Sequence, residues 1–299
     1  MVTGSHRSGT TWAGRMLSLS RSVCYIREPF NVNEPPRIVE RPFDYWFTYI
    51  TQQNEHNFYE SLNNVVALRY DLMSQFRTVK KQKDVLELLK EFTKFSLSRI
   101  LGLRPLLKDP LAVFSAEWLA STFNMSVVVM IRHPAAFVCS IKRLGWKHPF
   151  SHFLEQPLLI QDHLHPFMAE IEEYATKEHD IVDQGALLWN LIHHMIGKYQ
   201  DRHNDWIFVR HEDLSRQPLT GFSFLFDKLD LKFSLRIHEK IQKYSDARNP
   251  IYSENPFLIR RNSQAIVKKW QQELSKSEIA RIRNKVENIS TRFYQDEDW

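Results

Sequence analysis

The feature that most constrains the fold is a glycine loop at the start of the chain. Residues 4–11 (GSHRSGTT) follow the apolar strand end of residues 1–3 and precede a helix predicted over residues 10–19. Three of only eight glycines fall within the first 14 positions, which indicates that the local backbone demands them. A loop between a strand and a helix N-terminus presents backbone N–H groups to an anion. The pattern therefore predicts a phosphate-binding strand–loop–helix unit.

Strands and helices alternate along the rest of the chain. Strands are predicted at 23–27, 106–108, 126–132 and 206–210. Helices are predicted at 84–101, 112–123 and 134–144, with a helix-rich region at about 161–202 and helices over most of the remainder. This alternation predicts a P-loop-like, three-layer α/β/α fold with a central parallel sheet and many peripheral helices. We expect a single domain over residues 1–299, with helical insertions at about 43–104 and 145–204. Sites in such sheets lie beyond the carboxyl ends of the strands.

Composition narrows the class of protein. With 43% hydrophobic and 25% charged residues the chain is globular, and its net charge of +5 suits an anionic small ligand but does not by itself indicate nucleic acid. No uncharged apolar run approaches transmembrane length, and the N-terminus lacks the pattern of a signal peptide. The only two cysteines, Cys24 and Cys139, are expected to be free thiols of a cytoplasmic protein.

The glycine loop departs from the nucleoside triphosphatase pattern. Its spacing is that of a Walker A motif, G-x-x-x-x-G, but Thr10 stands where the lysine belongs, which argues against hydrolysis of ATP or GTP. The cation of the loop is Arg7 instead. A second phosphate signal follows the strand predicted at 126–132, where Arg132 ends the strand and Ser140 lies two turns into the helix opened by Pro134. The alternatives are a plain Gly/Ser turn and a solvated arginine.

Together these two segments resemble the sulfotransferases that use 3′-phosphoadenosine 5′-phosphosulfate (PAPS). The R-S-G-T-T sequence is similar to carbohydrate, protein-tyrosine and bacterial members, whereas the cytosolic aryl and steroid enzymes carry lysine at the position of Arg7. The resemblance extends to about Trp270, through the V-R-H-E-D-L sequence at 209–214 with Pro218 and through the R-R-N-S sequence at 260–263. The latter matches the R-K-G of the cytosolic enzymes only in part.

The resemblance implies transfer of a sulfuryl group from PAPS to a hydroxyl or amine of a carbohydrate or another small or lipid acceptor. No metal is implied. Arg7 would neutralise the leaving-group oxygen, Thr10 and Thr11 would hold the 5′-phosphate, and Arg132 with Ser140 would hold the 3′-phosphate. The complete set of implied donor-binding residues is Arg7, Ser8, Gly9, Thr10, Thr11, Trp12, Arg132, Ser140, Arg260 and Arg261.

A base must take the proton of the acceptor. Glu28 is the candidate, because it follows the second predicted strand and related carbohydrate enzymes carry a glutamate there. His6 and His133 are rival bases, and a surface role for Glu28 is the alternative. Lys108, after the third strand, either contacts the sulfonate or acceptor or forms a structural salt bridge.

Aromatic residues are dense in two segments, and could form a wall for the acceptor or simply belong to the core. They are Phe43, Tyr45, Trp46, Phe47 and Tyr49, and the stretch 146–153.

Two further functions stay open at this point. One is a nucleotide-dependent kinase with a degenerate P-loop, although Thr10 and Arg132 stand where a lysine and a magnesium-binding aspartate would be required. The other is a non-catalytic module that binds a nucleotide or polyanion.

Overall fold

A computed structural model describes residues 1–32, 43–76, 79, 82–251 and 260–299. Residues 33–42 and 252–259, and residues 77, 78, 80 and 81 of the first expected insertion, lie outside the described residues. The centre of the fold is a five-stranded sheet with the strand order β2-β3-β1-β4-β5. The strands are β1 (Val2–Gly4), β2 (Val23–Arg27), β3 (Arg104–Lys108), β4 (Val128–Ile131) and β5 (Ile207–Arg210).

Every pair of neighbouring strands is parallel, as predicted. Arg27 at the end of β2 is in register with Lys108 at the end of β3, and Ile131 of β4 is in register with Arg210 of β5. β1 lies between β3 and β4. The carboxyl ends of all five strands therefore meet at one edge. The chain continues from β1 to the β2 side of the sheet and later from β3 to the β4 side, so the strand order changes direction beside β1. Open α/β sheets bind ligands at the carboxyl ends of the strands at such a point.

The two faces of the sheet bury separate apolar clusters. Along β4, Val128 and Met130 join the cluster that includes α1 and α12, whereas Val129 and Ile131 join the larger cluster that includes α6 and α10. All four residues are buried, as expected for a strand covered on both faces. These helices belong to the following set, which is given in chain order: α1 (Thr10–Leu17), α2 (Tyr59–Val66), α3 (Leu72–Phe76), α4 (Gln82–Ile100), α5 (Ala116–Phe123), α6 (Pro134–Leu144), α7 (Ser151–Leu154), α8 (Pro157–Leu159), α9 (Met168–Thr176), α10 (Ile181–Arg202), α11 (His211–Arg216), α12 (Pro218–Lys228), α13 (Leu235–Ser245), α14 (Trp270–Glu273) and α15 (Lys276–Ser290).

The three-layer α/β/α prediction is thus confirmed. α6 covers the predicted residues, Pro134–Leu144. Pro134 opens the helix and Gly145, in the left-handed conformation, caps its C-terminus. A capping box of Ser275 and Glu278 opens α15. The helix predicted over 112–123 differs, because its first part is a 3-10 turn (Leu111–Ser115). In the described part of the chain, no helix is long and apolar enough to cross a membrane.

Gly4 ends the central strand in a conformation that no other residue adopts easily. Its φ is 125°, and a β-carbon there would lie 2.1 Å from the carbonyl oxygen of Met130 in β4. We expect Gly4→Ala to lower the free energy of unfolding by about 2–6 kcal/mol, from backbone strain and overpacking together. Gly102 is the matched control: its φ is 63° but open space surrounds it. Gly102→Ala should cost only about 1–2 kcal/mol. Urea unfolding measures both variants. If the two lost the same free energy of unfolding, the proposed clash of a β-carbon at position 4 with Met130 would be contradicted.

Candidate active site

The glycine loop leaves the first turn of α1 open to an anion. Gly9 occupies the N-cap position with a φ of 91°, and no side chain of the described residues caps the helix there. A β-carbon on Gly9 would lie 2.6 Å from Nδ1 of His211, so the loop can pass this close to α11 only with glycine. Thr10 and Thr11, in the uncapped turn, line a cavity. The N–H groups of this turn are the donors that bind phosphate at helix N-termini.

The two phosphate segments meet in space. The guanidinium of Arg132 donates to the carbonyl oxygen of Arg7, and Nε of Arg7 donates to Oγ of Ser140 at 3.0 Å. The indole of Trp189 in turn donates to the carbonyl oxygen of Arg132 at 2.9 Å, which fixes the end of β4. Residues 125 and 133 positions apart in sequence therefore form one polar cluster.

A cavity of about 160 Å³ lies beside this cluster. It is lined by most of the residues expected to bind the donor and by several that were not in the expected set. The expected ones are Arg7, Gly9, Thr10, Thr11, Trp12, Arg132 and Arg261; the others are His211, Ser215, Tyr244, Ser263 and Ile266. We call this the donor cavity.

Three expected donor-binding residues lie elsewhere. Ser8 is buried and its hydroxyl donates to the carbonyl oxygen of Ser5, so it shapes the turn. Arg260 is exposed and packs over the ring of Tyr244, 5.5 Å from the centroid. Ser140 lines a small adjoining cleft rather than the cavity itself, together with Arg132 and two cations that the sequence did not indicate, Arg143 and Lys269.

Positive charge is concentrated at this junction. Burial is the largest cause, and the charges of Arg132, Arg143 and Arg261 add to it, so that together they lower the pKa of Arg7 to about 10. Such mutual repulsion favours an anionic ligand, because an anion among the four guanidinium groups relieves it.

Residues that follow β4 and β5 form buried contacts beside the polar cluster of Arg7, Arg132 and Ser140. The buried Glu212 accepts hydrogen bonds from the backbone N–H of His133 at 3.1 Å and from the hydroxyl of Tyr294 at 2.9 Å. The ring of His133 stacks on Trp270, with centroids 4.9 Å apart, and burial lowers its pKa to about 3. The ring of His133 is thus uncharged at neutral pH and also packs against the rings of Tyr294 and Trp299. His211, just after β5, is a donor-cavity residue that its place at a strand end could have indicated.

Glu28 and Lys108 form a buried ion pair at the ends of β2 and β3. The Lys108 ammonium donates to Oε1 of Glu28, and the Lys108 side chain is fully buried. Burial alone would raise the pKa of Glu28, but the charge and hydrogen bond of Lys108, with a further bond from Asn31, hold that pKa below its ordinary value. Glu28 is therefore ionised at neutral pH. Of the two roles expected for Lys108, contact with the sulfonate or acceptor and a structural salt bridge, the structure shows the salt bridge.

Asp109, the residue that follows the end of β3, fixes the position of the turn that carries Glu28. The carboxylate of Asp109 accepts hydrogen bonds from the backbone N–H of Phe30 at 2.7 Å and of Leu111 at 2.9 Å. It thereby ties the turn after β2 to the turn after β3. Glu28 has a φ of 44°, which is strained for a residue with a side chain. The loop contacts hold this strained backbone in place.

A second, larger cavity of about 610 Å³ opens on the other side of Arg7. It is bordered by the polar residues His6, Arg7, Thr10, Thr11, Glu28, Asn31, Lys147 and His148 and by Trp46, Phe47, Pro110, Leu111, Gly145, Trp146, Pro149 and Leu188. We call it the acceptor cavity. Six non-glycine residues in the described part of the chain have positive φ, and three of them, Arg7, Glu28 and Phe47, line it. Backbone strain is therefore concentrated here, as it is at functional sites.

The aromatic segments divide between wall and core. Trp46, Phe47 and Trp146 line the acceptor cavity. The remaining aromatic residues do not: Phe43 stacks on Phe30, Tyr45 packs on His152, Tyr49 bonds to Asp162 and His163, and Phe150 and Phe153 are buried in the core.

His6 lines the acceptor cavity as an uncharged side chain. Its ring lies among Phe47, Phe137 and Trp146, with centroids 5.0–6.4 Å away. Burial lowers its pKa to about 3. Among the described residues no cluster of three or more His, Cys, Asp or Glu side chains could hold a metal ion.

Comparison with known proteins identifies a family. A family model described as "Sulfotransferase family" matches residues 1–234. A search of curated proteins finds no match. The sulfotransferase domain of the Synechococcus PCC 7002 olefin synthase superposes with a TM-score of 0.50 at 14% identity, covering 98% of this chain and 94% of that one.

Two further solved structures are similar. The sulfotransferase domain from the curacin biosynthetic pathway has a TM-score of 0.49 at 14% identity and covers 96% of both chains. Mouse sulfotransferase SULT7A1, solved with PAP, has a TM-score of 0.47 at 9% identity and covers 98% of this chain and 84% of that one. At such low sequence identities, the comparison with solved structures concerns the fold alone.

Proposed function

Because the chain belongs to the sulfotransferase family, we propose that it transfers a sulfuryl group from PAPS to a hydroxyl- or amine-bearing acceptor. The observation that carries this proposal is that the donor and acceptor cavities share Arg7, Thr10 and Thr11. A group held at the uncapped start of α1 faces both cavities. Cations lie on the donor side and a carboxylate, Glu28, lies on the acceptor side, which is the arrangement that group transfer between two substrates requires.

The donor-side residues suit a nucleotide with phosphates at both its 3′ and 5′ positions. The 5′ end would lie at the open turn of α1, against Thr10 and Thr11. The 3′-phosphate would lie at Ser140, Arg132 and Arg143, where a small cleft gathers positive charge. Nδ1 of His211 is buried without a hydrogen-bond partner among the described residues, and His211 borders the donor cavity. A nucleotide would supply the missing partner.

The chemistry needs one base and one cation. The acceptor oxygen forms a bond to sulfur, the bond from sulfur to the bridging oxygen of PAPS breaks, and the carboxylate of Glu28 takes the acceptor proton. Arg7 stabilises the charge that develops on the leaving oxygen. Lys108 holds Glu28 ionised and in place, which makes it a positioning residue.

We further propose that one domain over residues 1–299 carries this function. The acceptor cavity is lined by Trp46 and Phe47 of the segment 43–104 and by Trp146 and His148 of the segment 145–204. The two helical insertions thus supply acceptor walls to a phosphate-binding core.

Calorimetric titration with 3′-phosphoadenosine 5′-phosphate (PAP), ADP and ATP tests the donor. We expect the wild type to prefer PAP, and Arg132→Ala to weaken PAP binding about 10- to 100-fold, as the loss of a charged hydrogen bond does. ADP affinity should change little. Arg202, which pairs with Glu117 outside both cavities, is the control, and Arg202→Ala should bind PAP like the wild type. Tighter binding of ATP than of PAP would contradict the proposal and favour a nucleotide-dependent kinase. Binding of PAP without turnover of PAPS would favour a non-catalytic binding module.

A further inference from the structure

Exposed large apolar side chains are concentrated in one short stretch of the chain. The described residues include thirteen such side chains, and seven of them lie within residues 73–101, on α3, on α4 and directly after α4. These seven are between 46% and 81% exposed, and they are Met73, Phe76, Leu86, Leu89, Leu97, Ile100 and Leu101. A single exposed apolar residue is ordinary, but such a cluster marks a surface that contacts something else.

Four of these side chains form one stripe along α4, which we call the α4 face. They are Leu86, Leu89, Leu97 and Ile100. Their spacing places them on one side of the helix. The side that packs onto the domain carries the buried Leu88 and Phe95, and at 3.6 residues per turn the two sides are about 150° apart. α4 is therefore apolar on two sides, of which only one is buried within the described part of the chain.

The segment that contains the α4 face also holds the excess positive charge of the chain. By sequence, residues 69–104 contain nine Lys and Arg against four Asp and Glu, a net charge of +5, which equals the net charge of the whole chain. All other residues together therefore contribute no net charge. An apolar helix face within a basic segment is typical of helices that lie on anionic membrane surfaces.

Exposed cations lie on or beside the α4 face without an ion-pair partner among the residues that the structure describes. They are Arg69, Lys90 and Arg99. The acidic residues of α4 are engaged instead: Glu91 accepts a hydrogen bond from Lys94, and neither Asp84 nor Glu87 is without a partner. The uncompensated charge at this surface is thus positive, and it complements the phosphates of lipid headgroups.

A groove beside the C-terminal end of the α4 face brings the cationic and apolar groups together. Its volume is about 690 Å³, and Arg69, Arg99 and Ile100 are among the residues that line it. Asp71 lines it too, but this carboxylate already has a partner. A phosphate at the two guanidinium groups would therefore lie next to the apolar stripe, as the headgroup of a lipid does next to its acyl chains.

A second copy of the chain is the alternative occupant. The stripe has the same 3-4-4-3 spacing in both directions about Thr93, so two α4 helices could pair antiparallel about a two-fold axis. In such a pair each flank of the face meets the same flank of the other copy, which brings Lys90 and Lys94 toward the same lysines. Juxtaposed like charges disfavour this pairing, whereas an anionic surface attracts them.

We propose that the α4 face docks the protein on the surface of an anionic lipid bilayer, with the apolar stripe in the interfacial region and Arg69, Lys90 and Arg99 at the lipid phosphates. No helix in the described part of the chain could cross a membrane, so α4 lies along the bilayer surface instead. This inference goes beyond the proposed sulfuryl transfer and does not depend on it.

Vesicle co-sedimentation of the full chain tests the inference, with vesicles of phosphatidylcholine alone and vesicles that also contain about 30% phosphatidylserine. We expect at least tenfold tighter binding to the anionic vesicles, weakened by added salt. Leu97→Gln/Ile100→Gln should weaken this binding at least tenfold, because it removes apolar surface from the interface. Lys90→Gln/Arg99→Gln should weaken it by about 30-fold, from two lost charges, and leave binding to phosphatidylcholine unchanged.

Phe224→Gln/Leu235→Gln is the matched control. These side chains are 49% and 74% exposed, much like Leu97 and Ile100 at 53% and 81%, but they lie on α12 and α13. The control should bind the vesicles like the wild type, and urea unfolding should show that every variant stays folded. Light scattering without vesicles measures the oligomeric state.

Three results would overturn the inference. They are equal binding to the two kinds of vesicle, an equal loss of binding in the control variant, and no binding to either kind of vesicle. In the last case, a dimer that Leu97→Gln/Ile100→Gln dissociates would assign the α4 face to a second copy. Because the measurement needs neither PAPS nor an acceptor, its outcome is independent of whether the protein transfers a sulfuryl group.

Discussion

We expect Glu28→Gln to lower kcat for the proposed sulfuryl transfer by about 10²- to 10⁴-fold, the usual contribution of a general base. Glutamine keeps the size and a hydrogen-bonding oxygen but cannot take the acceptor proton. PAP affinity should stay within about twofold of the wild type, because Glu28 borders the acceptor cavity and not the donor cavity. Steady-state kinetics with saturating PAPS and calorimetry with PAP measure the two quantities.

The same substitution leaves the Lys108 ammonium buried without its carboxylate, so a loss of stability must be told apart from a loss of the base. Breaking a buried pair costs about 3–5 kcal/mol. The double variant Glu28→Gln/Lys108→Met removes the unpaired charge and should regain most of the free energy of unfolding while kcat stays low. Recovery of kcat in the double variant would show that Glu28 has only a structural role.

The pH dependence has a definite sign. In the proposed role as a base Glu28 must be a carboxylate, and its pKa lies below the ordinary value of 4.5. In the wild type kcat/KM should therefore fall only as the pH drops below about 4.5, and should be flat through neutrality where Glu28 is concerned. The ion pair stabilises the fold above the unfolded-state pKa of Glu28, and this contribution is lost as the pH falls through the folded-state value. Glu28→Gln should abolish the acid limb of the rate profile.

Local sequence signals predicted the parts of the site that local geometry determines. The glycine loop and α6 depend on φ angles that Gly9, Pro134 and Gly145 supply directly, so their positions could be predicted from composition and spacing. The segment predicted to be helical over 112–123 is helical but has two parts, a 3-10 helix and then α5, and a tertiary contact lies where they meet. The hydroxyl of Ser115 donates to the carbonyl oxygen of Thr48 and accepts from the N–H of Ile50, which holds the preceding turn in 3-10 geometry.

Pairings between distant segments could not be predicted in the same way. Glu28 and Lys108 were each candidate site residues, but their contact depends on β2 lying next to β3, a strand order that no spacing in the sequence expresses. Arg143, Lys269 and Tyr244 carry no motif, and only the fold brings them to the phosphate loop. The aromatic segments show the same limit, because a loop has no periodicity that separates wall residues from core residues.

Arg7 has a second role in the described structure. It adopts a φ of 64°, and its Nε donates to Ser140, the hydroxyl that we propose for the 3′-phosphate. The Ser140 hydroxyl accepts this bond and can still donate its own hydrogen to a phosphate, so Arg7 can keep the bond while the donor is held. Ser140 separates binding from catalysis as a control: Ser140→Ala should raise KM for PAPS about tenfold, as expected when one hydrogen bond to a charged group is lost, and leave kcat at saturating donor close to the wild type.

Arg7→Ala should instead lower kcat by about 10²- to 10³-fold, the size of effect that follows removal of one group stabilising charge in a transition state. Arg7→Lys should recover part of kcat, because a lysine keeps the charge but not the planar fork. Kinetics with PAPS at saturating acceptor, and calorimetry with PAP, distinguish the two roles. If Arg7→Ala raised KM for PAPS and left kcat unchanged, Arg7 would bind the ground state and the transition state equally. In that case the charge on the leaving oxygen would have to be stabilised by the N–H groups of α1 alone, and the position of Arg7 between the two cavities would serve only to hold the donor.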